Sequence, residues 1–279
     1  MTRKEIVEIL RGSDLSRISF QRIVETVKSL GMIPTTEVNI KEGTIIERGR
    51  INTTDEPFHS ESEISVREDF YNIRMYGRAN PPFVSVFYGS IKSDEIPQPR
   101  MTILAELSEE FKKGKNFKLS YTVGQWRVKK DFTAYCYLYS EKFRASSAIA
   151  KILDEWRNSL DASSIADKED AKLIGEFISE EFTKKEIKSH HDYKISAAIA
   201  ELKFRNTNTA SILYPSVRTD YLGTNIAIRG HLIEDLLELK QAALCDAYSV
   251  DGKGSLDIVA IAQELGPLNS NFKWTKISN

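Results

Sequence analysis

Near the amino terminus, Ile18, Ile23, Val24, Val27 and Leu30 fall on one helical stripe. The spacing predicts one or two helices over residues 3–31, with Gly31 as the stop and Asp14 or Ser16 as the cap of the second. Over 38–140 short β-rich runs alternate with turn residues, which predicts strands at 44–48, 83–88, 102–107, 121–123 and 126–128. Asn80-Pro81-Pro82 and Ile96-Pro97-Gln98-Pro99 interrupt them as loops. Helical spacing returns over 141–204. Ile149, Ile152, Leu153, Trp156 and Leu160 share one face, and Leu173, Ile174, Phe177, Ile178 and Phe182 share another. A connector at 161–164 separates the two, with Ser164 or Asp167 as cap, and Tyr193, Ala197, Ala200 and Phe204 suggest a third helix. Strands resume over 210–229, near 243–250 and near 256–263.

Helices bracketed by strands on both sides predict one α+β domain with a mixed or antiparallel core. Residues 1–40 read as a helical extension and 41–279 as the main domain, with a helical insertion around 141–204. The chain of 279 residues, 41% hydrophobic, is long enough for a sizeable core. With only 14 Gly and 8 Pro, it is neither collagen-like nor wholly disordered. Lys plus Arg number 39 against 40 Asp plus Glu, so no global charge attracts nucleic acid, and no nucleic-acid partner is expected. No run of ~18 apolar residues predicts a membrane span, and the first residues lack the apolar stretch of a secretory signal. Cys136 and Cys245 read as two free core thiols, and a cytoplasmic location is expected.

Several chemistries lose ground at this level. Two distant cysteines make no thiolate zinc site, and the neighbouring rings of His190 and His191 point about 100° apart on a helix, so no metal is expected. Glu109-Glu110 and Glu180-Glu181 are adjacent carboxylates that diverge rather than face one another. Ser216 lacks a Gly-x-Ser-x-Gly setting, and neither G-x-G-x-x-G nor a Walker loop occurs.

Three polar stretches remain. They are Glu47-Arg48-Gly49-Arg50, then Gly77-Arg78-Ala79-Asn80-Pro81 leading through Val86-Phe87-Tyr88 to Ala105-Glu106, and Tyr214-Pro215-Ser216 followed by Gly223-Thr224-Asn225. In this order they resemble the RES domain, a family named for an Arg, a Glu and a Ser. The resemblance spans about residues 44–230. It implies a fold similar to ADP-ribosyltransferases and an NAD-degrading enzyme, often the toxin of a bacterial toxin–antitoxin pair. NAD is then the substrate with no further cofactor, and an antitoxin or immunity protein is the implied partner. The family's catalytic positions fall on Arg48, Tyr88, Glu106 and Ser216. Its substrate-binding positions fall on Arg78, Asn80 and Asn225, with Arg50 as the alternative to Arg48. Glu47 stands where the family more often has an aromatic or apolar residue, and residues 96–99 lengthen the path from Tyr88 to Glu106.

These residue types suit the implied reaction. A guanidinium grips a diphosphate with a planar fork. A tyrosine ring stacks on a base or on nicotinamide. Breaking the ribosyl–nitrogen bond builds positive charge on the sugar, which a carboxylate such as Glu106 stabilises. Ser216 and Asn225 supply short hydrogen bonds that hold the pose. Glycohydrolase or phosphorylase action is expected. The alternatives are transfer of ADP-ribose to a macromolecule, or a RES-like module that binds without catalysis.

Overall fold

The computed structural model describes residues 1–279 except 32, 34, 55, 113–114, 163–166, 207–208, 252, 266–269 and 278–279. Two helices open the chain, α1 (Arg3–Gly12) and α2 (Phe20–Lys28). Thr2 and Glu5 close a capping box on α1. Ser19, not Asp14 or Ser16, caps α2, accepting from the Arg22 N–H, because the helix begins only at Phe20; Asp14 and Ser16 bond one another in the turn before it. Gly31, at φ 76°, turns the chain away from the helix.

The α+β expectation holds. One ten-stranded sheet runs in the order β1-β5-β6-β7-β3-β2-β4-β8-β9-β10. Its strands are β1 (Thr36–Ile40), β2 (Ile45–Ile51), β3 (Val86–Ile91), β4 (Phe117–Val128), β5 (Phe132–Cys136), β6 (Ser211–Pro215), β7 (Thr224–Arg229), β8 (Leu237–Val250), β9 (Lys253–Ala262) and β10 (Thr275–Lys276). Among the described residues only β5 and β6 pair in parallel; every other neighbouring pair is antiparallel. Residues 36–40, assigned above to the extension, are the sheet's edge strand on β5. The helices between the strands are α3 (Glu61–Ile64), α4 (Pro99–Leu107), α5 (Glu109–Lys112), α6 (Ser147–Ala162), α7 (Lys168–Phe182), α8 (Lys194–Asn206) and α9 (Ile233–Leu236). Asp167 caps α7 through the Asp170 N–H; Ser164 lies outside the described residues.

Three sequence expectations are corrected. Residues 102–107 are not a strand but the body of α4. Pro99 sits in the first turn, where its missing N–H costs nothing, and Met101, Leu104, Ala105 and Leu107 are good helix formers. The runs at 121–123 and 126–128 are one strand, continuous through Gly124 by pairing with β2 on one side and with β8 on the other, where the register shifts between Gln125 and Trp126. Strand β3 begins at Val86 rather than Phe83, whose φ of 66° is incompatible with extended backbone.

Three apolar clusters hold these layers together. Side chains alternate across each strand, so Tyr135, Ile212, Tyr214 and Ala227 face α1, α2, α6, α7 and α8, while Cys136, Leu213, Ile226 and Ile228 face the opposite cluster with Phe87 and Trp126. The third cluster packs Ile103 and Leu104 of α4 on Tyr121, Val123 and Cys245. Cys136 and Cys245 are both buried and free, in different clusters. Helix α4 lies close on β2 because residue 49 is glycine; a Cβ there would come 2.5 Å from Ile103 Cγ2. Among the described residues no helix is long and apolar enough to cross a membrane.

Candidate active site

The site sits where the sheet comes apart. Strand β2 pairs with β4 over seven residues, from Ile45↔Arg127 to Ile51↔Tyr121. On its other side it pairs with β3 only at Ile46↔Ile91 and Glu47↔Ser90. Beyond those two pairs Arg48 fills the gap. Its Nη1 donates to the Tyr88 carbonyl at 3.0 Å and its Nε to the Ile64 carbonyl at 3.2 Å, with the guanidinium 5.0 Å from the Phe87 ring centroid. Both partners are neutral carbonyls. Desolvation, and then the neighbouring charge of Arg50, lower its pKa to about 9, so it stays cationic at neutral pH. Arg48 thus holds its charge in the gap with no carboxylate partner among the described residues.

A cleft of about 330 Å³ opens beside this gap, walled in part by Arg48, Arg78, Tyr88, Glu106, Tyr193 and Asn225. Helix α4 carries Glu106 into it. Being a helix rather than a strand matters here: Ile103 and Leu107 sit one turn apart near β2, while Glu106 is turned to solvent. Two hydrogen bonds aim the carboxylate, both ending on Oε1: Ser216 Oγ at 2.6 Å and Asn225 Nδ2 at 2.8 Å. Among the described residues Oε2 has no partner. Asn225 is itself oriented by Ser90 Oγ, which donates to its Oδ1 at 2.8 Å, and the two residues are direct cross-strand partners on β3 and β7. Ser216 is fully buried behind Glu106, so its role is to hold the carboxylate.

The opposite wall is the turn at 77–80. The Tyr88 hydroxyl donates to Asn80 Oδ1 at 2.7 Å and accepts from the Ala79 N–H at 2.8 Å. Burial raises the pKa of this phenol, so it keeps its proton and serves as a donor. Gly77 is required at the turn: a Cβ there would lie 2.4 Å from Asn80 Oδ1 and 2.7 Å from the Tyr88 hydroxyl. Arg78 is tied back to the helical block through the Phe182 and Lys184 carbonyls, each at 3.0 Å, and its guanidinium lies 5.1 Å from the Tyr193 ring centroid. Its charge, too, is met by carbonyls and a ring.

The structure therefore brings Arg48, Arg78, Tyr88, Glu106 and Asn225 to one cleft, with Ser216 directly behind Glu106. Arg50 and Asn80 do not line it. Arg50 turns to the Glu63 carbonyl, and Asn80 spends its amide on Tyr88 and the Pro81 carbonyl, so both support the wall instead of facing the cleft. Arg48 is thus the arginine at the gap. Sequence reasoning missed Ser90 and Tyr193. Ser90 was detectable, two residues after Tyr88 and so on the same strand face. Tyr193 carried no signal, since it comes from the helical block and reaches the cleft only through the packing of α7 and α8. No cluster of three or more metal-ligating side chains occurs among the described residues. No protein-family model matches the chain, and no curated protein sequence matches it.

Proposed function

We propose that the chain cleaves the nicotinamide–ribose bond of NAD, as a glycohydrolase or phosphorylase. The observation that carries the reading is Glu106. Its Oε1 is fixed by Ser216 and Asn225, and among the described residues its Oε2 has no partner and no carboxylate pairs with the two arginines of the cleft it shares. Arg48 and Arg78 take the diphosphate, and a tyrosine of the cleft, Tyr88 or Tyr193, stacks on the leaving ring. Glu106 Oε2 faces the ribose, where it stabilises the cation that forms as nicotinamide departs and orients the water or phosphate that replaces it. The reading also implies a partner protein that restrains the activity.

The exposed rings of Phe70 and Phe83, which wall a separate groove with Arg67, Val84 and Ser85, favour a second reading, in which a macromolecule docks there and receives the ADP-ribose. The test is to incubate purified protein with NAD, with and without phosphate, and to follow nicotinamide and the fate of the ribosyl group. Free ADP-ribose or its phosphate supports cleavage, label fixed on protein or nucleic acid supports transfer, and intact NAD overturns both.

A further inference from the structure

A second chamber of about 260 Å³ adjoins the cleft and shares Arg48, Gly77 and Tyr88 with it. Its remaining wall includes Arg67, Asn72, Arg74, Met75 and Tyr76. The charge around it is unbalanced. Arg67 is held by Asp69 through two hydrogen bonds, at 2.9 and 2.6 Å, and Asn72 also donates to Asp69. The Glu63 carboxylate accepts from the backbone N–H groups of His59 and Ser60. That leaves Arg48 and Arg50 bonded only to carbonyls, and Arg74 exposed with no ion pair among the described residues.

The wall is also anchored. The Tyr76 ring packs 5.4 Å from Phe20 of α2 and 5.7 Å from His190, the Tyr76 backbone N–H donates to His190 Nδ1 at 3.3 Å, and Lys194 Nζ lies 5.6 Å from the ring centroid. With Tyr76 pinned inward, Arg74 and Met75 are left outward, Met75 at 65% exposure. The amino-terminal helices thereby support a cationic, partly apolar chamber on the far side of Arg48.

We propose that the two chambers take the two halves of one dinucleotide. The nicotinamide ribose lies against Glu106, the diphosphate at Arg48, and the second nucleotide in the chamber walled by Arg74, Met75 and Tyr76. Arg74 meets the far phosphate, and the Met75 thioether offers a polarisable surface to the base. The inference rests on the reading of the cleft as an NAD site. It adds that the enzyme distinguishes a dinucleotide from a mononucleotide, and that it does so outside the reacting centre.

The test compares calorimetric binding of NAD and of nicotinamide mononucleotide to the wild type and to Arg74→Ala, with nicotinamide release followed in parallel. Arg74 is exposed, so the variant folds, and its melting temperature checks this. Arg74→Ala is expected to weaken NAD binding about tenfold, the effect of one lost charge-assisted bond, and to leave the mononucleotide within about twofold. Equal effects on both ligands, or none on either, overturn the second chamber. Wild-type protein that binds NAD through Arg74 without cleaving it overturns the reaction and leaves the chamber standing. Wild-type protein that binds neither ligand overturns both.

Discussion

The two edges of β2 behave differently. Toward β4 the ladder is complete, and the seam is sealed by Tyr121, Val123 and α4. Toward β3 it stops after two pairs, and the side chain of Arg48 does what the ladder does elsewhere, satisfying the Tyr88 carbonyl. A backbone bond closes a sheet; a side-chain bond in its place leaves the strands apart and puts a charge in the opening. The open seam gathers Ser90, Asn225, Glu106 and Ser216 around a gap in the ladder, whereas the closed seam keeps its polar bonds, Gln125 and Arg100 to Glu47 and Thr122 to Asn52, beside an unbroken ladder and the apolar Tyr121, Val123 and Ile103.

The largest effect should come from Glu106→Gln at the open seam. Gln keeps the size and one acceptor, so the fold should persist, but the charge facing the developing cation is gone. Nicotinamide release is expected to fall on the order of a hundredfold to a thousandfold while NAD still binds. A folded variant with parental turnover would remove Glu106 from the mechanism.

Arg48→Lys should come next. An ammonium retains the charge but cannot bridge the Ile64 and Tyr88 carbonyls with the same planar fork. Binding of NAD is expected to weaken by roughly tenfold to a hundredfold, read by calorimetry. Unchanged affinity would mean that charge alone, not the fork in the gap, matters there.

Tyr88→Phe sharpens the comparison through stability. It leaves the Ala79 N–H and Asn80 Oδ1 without their partner, a cost of about 1–3 kcal/mol in denaturant unfolding. A loss below about 0.5 kcal/mol would show that the 77–80 turn stands without Tyr88. The smallest change is expected far from either seam. Lys151→Gln, on the outer face of α6, breaks only an exposed contact with Glu155 and should shift stability by less than about 0.5 kcal/mol. A larger loss would show that the helical block does more than scaffold.

Much of this was written in the chain itself. The helical stripes of 149–160 and 173–182 became α6 and α7, because an amphipathic period admits one way of burying its face. The β-rich run read at 44–48 became the first part of β2, which continues to Ile51. Cys136 and Cys245, surrounded by apolar neighbours, are buried free thiols whose pKa values burial pushes up to about 12. The polar words around Arg48, Arg78, Tyr88, Glu106, Ser216 and Asn225 were likewise visible as residues with no shared reason to recur along a scaffold.

What those residues do to one another was decided only by the tertiary structure. Glu106 was read on a strand as part of the run 102–107. Packing of Ile103 against Gly49 and the proline start at Pro99 made it a helix, which turns the carboxylate into the cleft. Arg48 and Arg50 were indistinguishable by spacing, being two apart on one strand. The splaying of β3 from β2 gives Arg48 the gap and leaves Arg50 on α3. Tyr193 joined the site through the packing of the helical block, far from the other cleft residues in sequence. Local periodicity determines which face of an element is buried, since burial of that face is worth more than any alternative. It carries no information about which strand ladder ends early, because that depends on side chains supplied from elsewhere in the fold.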